Sequence, residues 1–405
     1  MQPRRIFLAT VFAVLLFARG TAALAAGPNQ AILDRIPSAM QEFVDRKEVS
    51  GVVTVVGRHD SVIGHHAVGF RDLEAREPMT KDTLFLICSM TKPVTGTAIM
   101  ILVDEGKLAI EDAVEKHLSE FRGQMLLAAK TADGLTLKRP ARKITIRDLL
   151  THTSGQGRMP DGLADLYQKR SRTLSEAVMA FSQRPLEFEP GTKWAYSSVG
   201  TDILGRIVEV VSRMPYEEFV KQRILEPLGM SDTMFYPDDR QWRRVAVVYE
   251  VKPGQLVRAA NPPVGAGRFA RYPLPAGGLY STGADLARFY QMTLGGGRHQ
   301  GRQIVSEKSL RAMTGVQTGQ LEVGFVPGMA YGLCWGVVRQ PQGVTAMLSP
   351  GTFGHGGAYG TQGWVDPKQD LFVILLIQRT GARGGDASEI RARFQELAVS
   401  AIMGG

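Results

Sequence analysis

Ser89-Met90-Thr91-Lys92 is the stretch on which the reading of this chain turns. A serine and a lysine three residues apart on a helix share a face and come within reach of each other. A serine hydroxyl is a poor nucleophile at neutral pH. An amine withdrawn from bulk water has a lowered pKa, so it can stand neutral beside the hydroxyl and take its proton. No other serine in the chain has a lysine three places on. Working outward, Leu84 to Ile87 form an apolar run ending at Cys88 and Ser89, Pro93 suits a first helical turn, and Gly106 closes an amphipathic stretch. The pattern predicts Ser89 at the positive end of a helix, its backbone N–H facing a developing oxyanion.

Two further clusters carry chemistry. Pro190 to Ser198 places Tyr196 on a short loop just before a helix. Gly354-His355-Gly356-Gly357-Ala358-Tyr359-Gly360 stands at a strand entrance, where its glycines would let a substrate backbone approach closely. Other patterns are missing or fail in context. No serine has the G-x-S-x-G surroundings of a nucleophile elbow, and no H-E-x-x-H occurs. His65-His66 falls in a predicted strand, where adjacent side chains point to opposite faces and cannot share a metal. Gly265 to Ala270 mimics a dinucleotide fingerprint, but Pro262-Pro263 stand where the preceding strand is required. No cofactor or metal is called for.

Residues 1–26 read as a targeting segment, with Arg4 and Arg5, an apolar core from Ile6 to Phe17 and a small-residue exit at Ala23-Leu24-Ala25. Arg4-Arg5-Ile6-Phe7-Leu8 resembles a twin-arginine signal, although Pro3 and Ala9 replace the usual polar and basic flanks. The core is too short to span a bilayer, so the mature chain is expected to be exported, periplasmic or secreted, without stable membrane insertion. Removing the segment takes away three arginines and no acid, lowering the formal charge from +9 to +6. The densest basic run, Lys138-Arg139-Pro140-Ala141-Arg142-Lys143, lacks interleaved aromatics and reads as a solvated loop, which argues against nucleic acid as a partner. Cys88 and Cys334 are expected to be buried thiols and not a disulfide.

With 44% hydrophobic residues, the chain can bury a large core. Asn29 to Arg46 reads as an amphipathic helix, and Val52 to Val56 and Ser61 to Phe70 as strands. Late in the chain Tyr331 to Val338, Val344 to Leu348, Gln362 to Val365 and Leu371 to Ile377 read as strands, and Ala387 to Met403 as a closing helix. Between them lie helical segments at Thr173 to Arg184, Thr201 to Val211 and Thr282 to Leu294, the last with Thr282 and Asp285 in capping-box register. The expectation is an α/β domain built from 27–85 and 275–405, with a mostly helical domain, 86–274, inserted and carrying the nucleophile helix and the tyrosine loop. Small-molecule sites favour the cleft between two such parts.

These motifs together resemble the serine hydrolases of the class C β-lactamase and serine-type D-Ala-D-Ala carboxypeptidase superfamily, and within it most nearly the family VIII carboxylesterases. The resemblance runs from about residue 30 to residue 400. It rests on Ser89-x-x-Lys92, on Tyr196-Ser197-Ser198 in the position of Tyr-x-Asn, and on His355-Gly356-Gly357 in the position of Lys-Thr-Gly. Leu149 to Gly155, Pro190-Gly191 and Pro275 to Leu279 support it. It implies a β-lactamase/transpeptidase-like α/β fold, an antiparallel sheet flanked by N- and C-terminal helices with a helical insertion. It also implies that Ser89 is acylated, that Lys92 and Tyr196 share the proton transfers with Tyr196 as the base for deacylation, and that the Ser89 and Ala358 amides form the oxyanion hole. Ser198, His355, Gly356 and Gly357 would contact substrate, and His152 in Leu-Leu-Thr-His-Thr-Ser-Gly would hold a loop.

Two departures bear on substrate. Ser198 replaces an asparagine that bonds a substrate amide, and a hydroxyl reaches less far with a single donor. His355 replaces a lysine that would clamp a carboxylate, exchanging a permanent charge for a conditional one. Both move the site toward neutral esters, so a carboxylesterase on short-chain esters is the first reading. A β-lactamase or D-amino-acid peptidase with the same nucleophile stays open, as does a non-hydrolytic penicillin-binding protein. The sequence leaves the oligomeric state open.

Overall fold

Two strands are buried at every position, Gly51–Gly57 and Leu371–Leu376, which is how a strand reads when both faces of its sheet are covered. The computed structural model describes residues 27–132, 134–159, 161–260, 264, 270–382 and 384–403. The targeting segment, Pro262-Pro263 and residues 265–269 of the fingerprint mimic lie outside the described residues.

The main sheet has eight strands: β1 Gly51–Gly57, β2 Val62–Asp72, β3 Glu77–Pro78, β4 Met329–Tyr331, β5 Gly336–Val338, β6 Phe353–Gly356, β7 Gln362–Asp366 and β8 Leu371–Leu376. Their order is β4-β5-β6-β7-β8-β1-β2-β3, with every neighbouring pair antiparallel. The helices that bear on the site are α1 Gln30–Leu33, α2 Ile36–Asp45, α3 Lys92–Asp104, α4 Leu174–Ser182, α5 Ser198–Ser212, α6 Gly283–Leu294 and α7 Glu389–Met403. Alternation along β1 and β8 divides the core. Val52, Val56, Val373 and Leu375 meet Met40, Phe43, Phe394 and Leu397 of the terminal helices. Val53, Val55, Phe372 and Ile374 belong to the larger core that takes in α3, α5 and α6. The fold is thus the mixed α/β arrangement with a large antiparallel sheet that the sequence predicts. No helix among the described residues is long and apolar enough to cross a membrane.

Several elements differ from expectation for identifiable reasons. The N-terminal helix breaks at Asp34-Arg35 because Pro37 has no N–H for the Leu33 carbonyl. Tyr331 to Val338 is a hairpin and not one strand: the chain turns at Gly332, whose N–H bonds the Trp335 carbonyl, and Cys334 holds φ +65°. Val344 to Leu348 begins within a 3-10 turn, Gly343–Thr345, outside the sheet, and Val344 and Leu348 belong to the core cluster that includes Phe394 and Leu397 of α7. The stretch after Pro93 is not amphipathic, since α3 is buried on all faces from Lys92 to Leu102, as a helix enclosed by its neighbours must be. Only half of the capping box at α6 forms. Thr282 accepts from the Asp285 N–H, while the Asp285 carboxylate turns to Asp232, Thr233 and Arg288. Cys88 and Cys334 are free and buried. In the basic run, Lys138, Arg142 and Lys143 pair with Glu189, Asp148 and Glu115.

Candidate active site

Ser89 lies in a 3-10 turn, Cys88–Thr91, that feeds directly into α3, so its N–H belongs to the first turn of a helical segment. That amide has no backbone carbonyl partner among the described residues. Cys88 just before it holds a left-handed backbone, φ +47°, a conformation that costs a non-glycine residue about 1 kcal/mol. The turn is clamped from behind, because the Ile87 N–H bonds the Leu279 carbonyl and the Thr361 hydroxyl bonds the Ile87 carbonyl.

One helical turn on, Lys92 is fully buried. Its Nζ stands 3.3 Å from Ser89 Oγ, 3.2 Å from Ser198 Oγ and 2.7 Å from the Ala276 carbonyl. Burial lowers its pKa to about 8, opposed in part by the carboxylate of Asp202. A neutral lysine has two hydrogens and one lone pair. Ala276 and Ser198 take the hydrogens, and the lone pair is left for the Ser89 proton. The Ala276 carbonyl is held in place by its neighbours: Thr95 on α3 bonds the Pro275 carbonyl at 2.7 Å, and Asp202 Oδ1 accepts from the Ala276 N–H at 2.9 Å. This accounts for the Pro275 to Leu279 motif.

Tyr196 comes from the loop before α5, its ring centre 4.8 Å from Lys92 Nζ. Ser197 caps α5 by accepting from the Gly200 N–H, which fixes the loop end and aims the Tyr196 hydroxyl at Ser89 Oγ, 2.8 Å away. Burial raises the phenol well above its ordinary pKa, and the Ser89 hydrogen bond offsets only part of that rise. Tyr196 is therefore a hydrogen-bond donor in the resting site. To act as the base expected for deacylation, Tyr196 would have to ionise against this burial, whereas Lys92 is the group whose neutral form burial favours.

The remaining predicted residues fall around the same cleft. Ala358, Gly356 and Gly357 line a cavity of about 270 Å³ with Ser89 and Tyr196. A Cβ on Gly357 would lie 2.4 Å from the Ile87 carbonyl oxygen and 2.1 Å from the Thr361 hydroxyl, and one on Gly356 would lie 2.2 Å from the Asp386 carboxylate. Gly357 is thus required by close packing against the nucleophile segment, and Gly356 by packing against Asp386 and Gln362, whatever approach they also allow a substrate. Ser198 is occupied with Lys92. His355 lines the cavity, but both of its ring nitrogens are engaged, Nδ1 with the Gly356 carbonyl at 2.6 Å and Nε2 with the Tyr331 hydroxyl at 3.1 Å. Burial lowers its pKa to about 4, so the conditional charge expected at this position is absent at neutral pH. His152 is buried 4.6 Å, centroid to centroid, from the Tyr196 ring, and it holds the loop as predicted.

Sequence reasoning missed Asp202, Tyr167 and Phe325. Asp202 follows Ser198 by four residues on α5, so helical spacing places it on the same face. It accepts from the Tyr167 hydroxyl at 2.5 Å, and burial raises its pKa. Phe325 packs edge-on against Tyr196 at 4.9 Å and separates the Ser89 cavity from a larger one of about 930 Å³ lined by Met159, Trp194 and Glu322. Nothing in local sequence signals it.

A buried lysine, a serine and a phenol converging on one oxygen, set between an antiparallel sheet and a group of helices, define a serine-nucleophile site of the β-lactamase type. Comparison with known proteins agrees: the Beta-lactamase family model matches residues 36–398, so the chain belongs to that family and is a serine hydrolase. Protein Rv1367c of Mycobacterium tuberculosis (strain ATCC 25618 / H37Rv) is 36% identical over 385 residues, covering 90% of this chain and 95% of its own. Esterase EstB of Burkholderia gladioli is 30% identical over 368 residues, covering 84% and 89%. The structure of EstCE1, described as a hydrolase with promiscuous acyltransferase activity, shares the fold, with a TM-score of 0.76 at 24% identity over 92% of this chain and 98% of that one.

Proposed function

We propose that the chain is an exported carboxylesterase that cleaves short-chain esters through an acyl-enzyme at Ser89. The observation that carries the reading is the fully buried Lys92, its Nζ 3.3 Å from Ser89 Oγ with a pKa lowered toward neutrality. As Ser89 Oγ bonds to the ester carbonyl carbon, its proton passes to Lys92 Nζ, and the oxyanion turns to the Ser89 and Ala358 amides. The carbonyl then re-forms and the alcohol leaves with a proton from the Tyr196 hydroxyl. That proton is replaced from Lys92 through Ser198, whose hydroxyl faces both groups. Water attacks the acyl carbon by the same route in reverse, giving its proton inward and releasing the acid with Ser89 restored.

Preference for a neutral ester is supported by the walls. His355 is uncharged and internally bonded, Ser198 is committed to Lys92, and Arg379 is turned to the Glu48 carbonyl. None of these offers a free cation for a substrate carboxylate. A cavity of about 270 Å³ suits a short acyl group. The kinship with EstB supports the same choice. Export rests on residues 1–26.

The test is one purified preparation assayed with p-nitrophenyl butyrate and nitrocefin, and labelled with a fluorophosphonate and a fluorescent penicillin. Fast butyrate turnover, lost in Ser89→Ala, is the expected result. Rapid nitrocefin opening would replace the reading with a β-lactamase, and a lasting penicillin adduct without turnover would replace it with a binding protein.

A further inference from the structure

The hydrogen bonds around Tyr331 can be assigned direction from end to end, because the series starts on a group that can only donate and stops on one that can only accept. The Ser197 backbone N–H donates to His152 Nδ1 at 3.3 Å, so that nitrogen is bare and the neutral ring carries its proton on Nε2. His152 Nε2–H meets the Tyr331 hydroxyl oxygen at 3.1 Å. The Tyr331 O–H then donates to His355 Nε2, also at 3.1 Å. His355 accordingly holds its proton on Nδ1, which donates to the Gly356 carbonyl at 2.6 Å. All three side chains are buried, and Tyr331 is fully enclosed.

The two ends of this series lie beside the two halves of the chemistry. Ser197 directly follows Tyr196, and Gly356 stands two residues before Ala358. We infer that Tyr331 is a positioning residue, whose hydroxyl joins the opposite tautomers that the Ser197 N–H and the Gly356 carbonyl set on His152 and His355, and thereby locks the Tyr196 loop to the strand end bearing the Ala358 amide. Any other proton placement opposes donor to donor or acceptor to acceptor at one or more of the four links, at a buried site where an unmatched polar group costs about 1–3 kcal/mol. The two histidines thus work as a fixed spacer between the phenol and the oxyanion amide, neither of them touching the reacting atoms. Tyr331 lies in β4 at the edge of the main sheet, so the spacer is anchored to the scaffold and not to the loops it joins.

The kinetic arm of the test rests on the esterase reading, whereas the spectroscopic arm does not. In the full-length protein with ¹⁵N-labelled histidine, assigned with His152→Gln and His355→Gln, the inference expects His152 as the Nε2–H tautomer and His355 as the Nδ1–H tautomer. Tyr331→Phe keeps the ring and removes the hydroxyl. It should lower kcat on p-nitrophenyl butyrate by about tenfold or more with little change in KM and slow fluorophosphonate labelling in parallel, while the Ser197 and Gly356 bonds keep each tautomer. A proton on His152 Nδ1 in the parent protein would overturn the inference whether or not the variant folds. So would Tyr331→Phe labelling at the parent rate. If Ser89→Ala retained turnover, the esterase reading would fall while the tautomer measurement still judged the spacer.

Discussion

The Tyr196 hydroxyl donates to the Ser89 hydroxyl across 2.8 Å, while the Lys92 amine stands 3.3 Å from the same oxygen and 4.8 Å from the centre of the Tyr196 ring. A phenol so buried stays protonated, and an amine so buried loses its proton readily. In the proposed mechanism the two partners of the nucleophile therefore have unequal duties, Lys92 taking the proton and Tyr196 donating one.

Substitution at each should show that asymmetry. Lys92→Arg keeps a cation that cannot deprotonate and is expected to reduce fluorophosphonate labelling of Ser89 by about 10³-fold or more. Tyr196→Phe leaves the base intact and is expected to label only about 10–100-fold more slowly, with the larger defect in ester turnover. Equal labelling defects would mean that the phenol takes the first proton.

The pH dependence follows from Lys92. Only the neutral amine accepts the Ser89 proton, so acylation rises with pH and reaches half its maximum near a pH of about 8. Asp202 opposes the effect of burial by favouring the charged lysine. Asp202→Asn removes that charge and should move the midpoint toward acid by about one unit, read as labelling rate against pH. A midpoint that stays put, or moves to higher pH, would separate Asp202 from Lys92.

Gly357 gives a steric prediction. The Cβ of an alanine would fall 2.4 Å from the Ile87 carbonyl oxygen, so the strand end bearing Ala358 must retreat from the Ser89 turn. Gly357→Ala should lose about 100-fold in kcat. Gly162→Ala, where a Cβ meets nothing within 4 Å, is the matched control and should turn over normally.

Acid should weaken the fold through the buried histidines. His355, lowered by burial from 6.5 to about 4, and His152, lowered by burial well below 6.5, remain neutral in the folded chain near neutral pH. Below pH 6.5 the unfolded chain takes up protons that the folded chain refuses. Stability present above that pH is lost as the pH falls toward 4, at about 1.4 kcal/mol per pH unit for each histidine. Thermal denaturation between pH 7 and 4.5 measures the slope, and His355→Gln should flatten it. An unchanged slope would place the acid sensitivity elsewhere.

Legibility along the chain tracks the range of the forces involved. Ser89 and Lys92 could be paired from spacing alone, since one helical turn settles their distance. Asp202 obeys the same rule from Ser198, yet it went unread because a lone aspartate in a helix carries no mark until its burial is known. Tyr331 to Val338 misled because an apolar run looks the same whether it continues or folds back at Gly332. Val344 to Leu348 misled in the same way, apolar for the sake of α7 and not of the sheet. His355 could be located but not assigned a charge.

What the amino-acid order determined by itself was local and periodic: the nucleophile pair, the doubly buried strands, the closing helix, and the tyrosine set before a capped helix. What only the tertiary structure decided was protonation and direction: that burial favours a neutral Lys92 and a protonated Tyr196, that His355 is neutral and bonded inward, and that a side chain at Gly357 would meet the Ile87 carbonyl. Spacing along the chain fixes which side chains are neighbours within a turn or a strand. A pKa or a hydrogen-bond direction depends on every group that burial brings near from elsewhere in the chain.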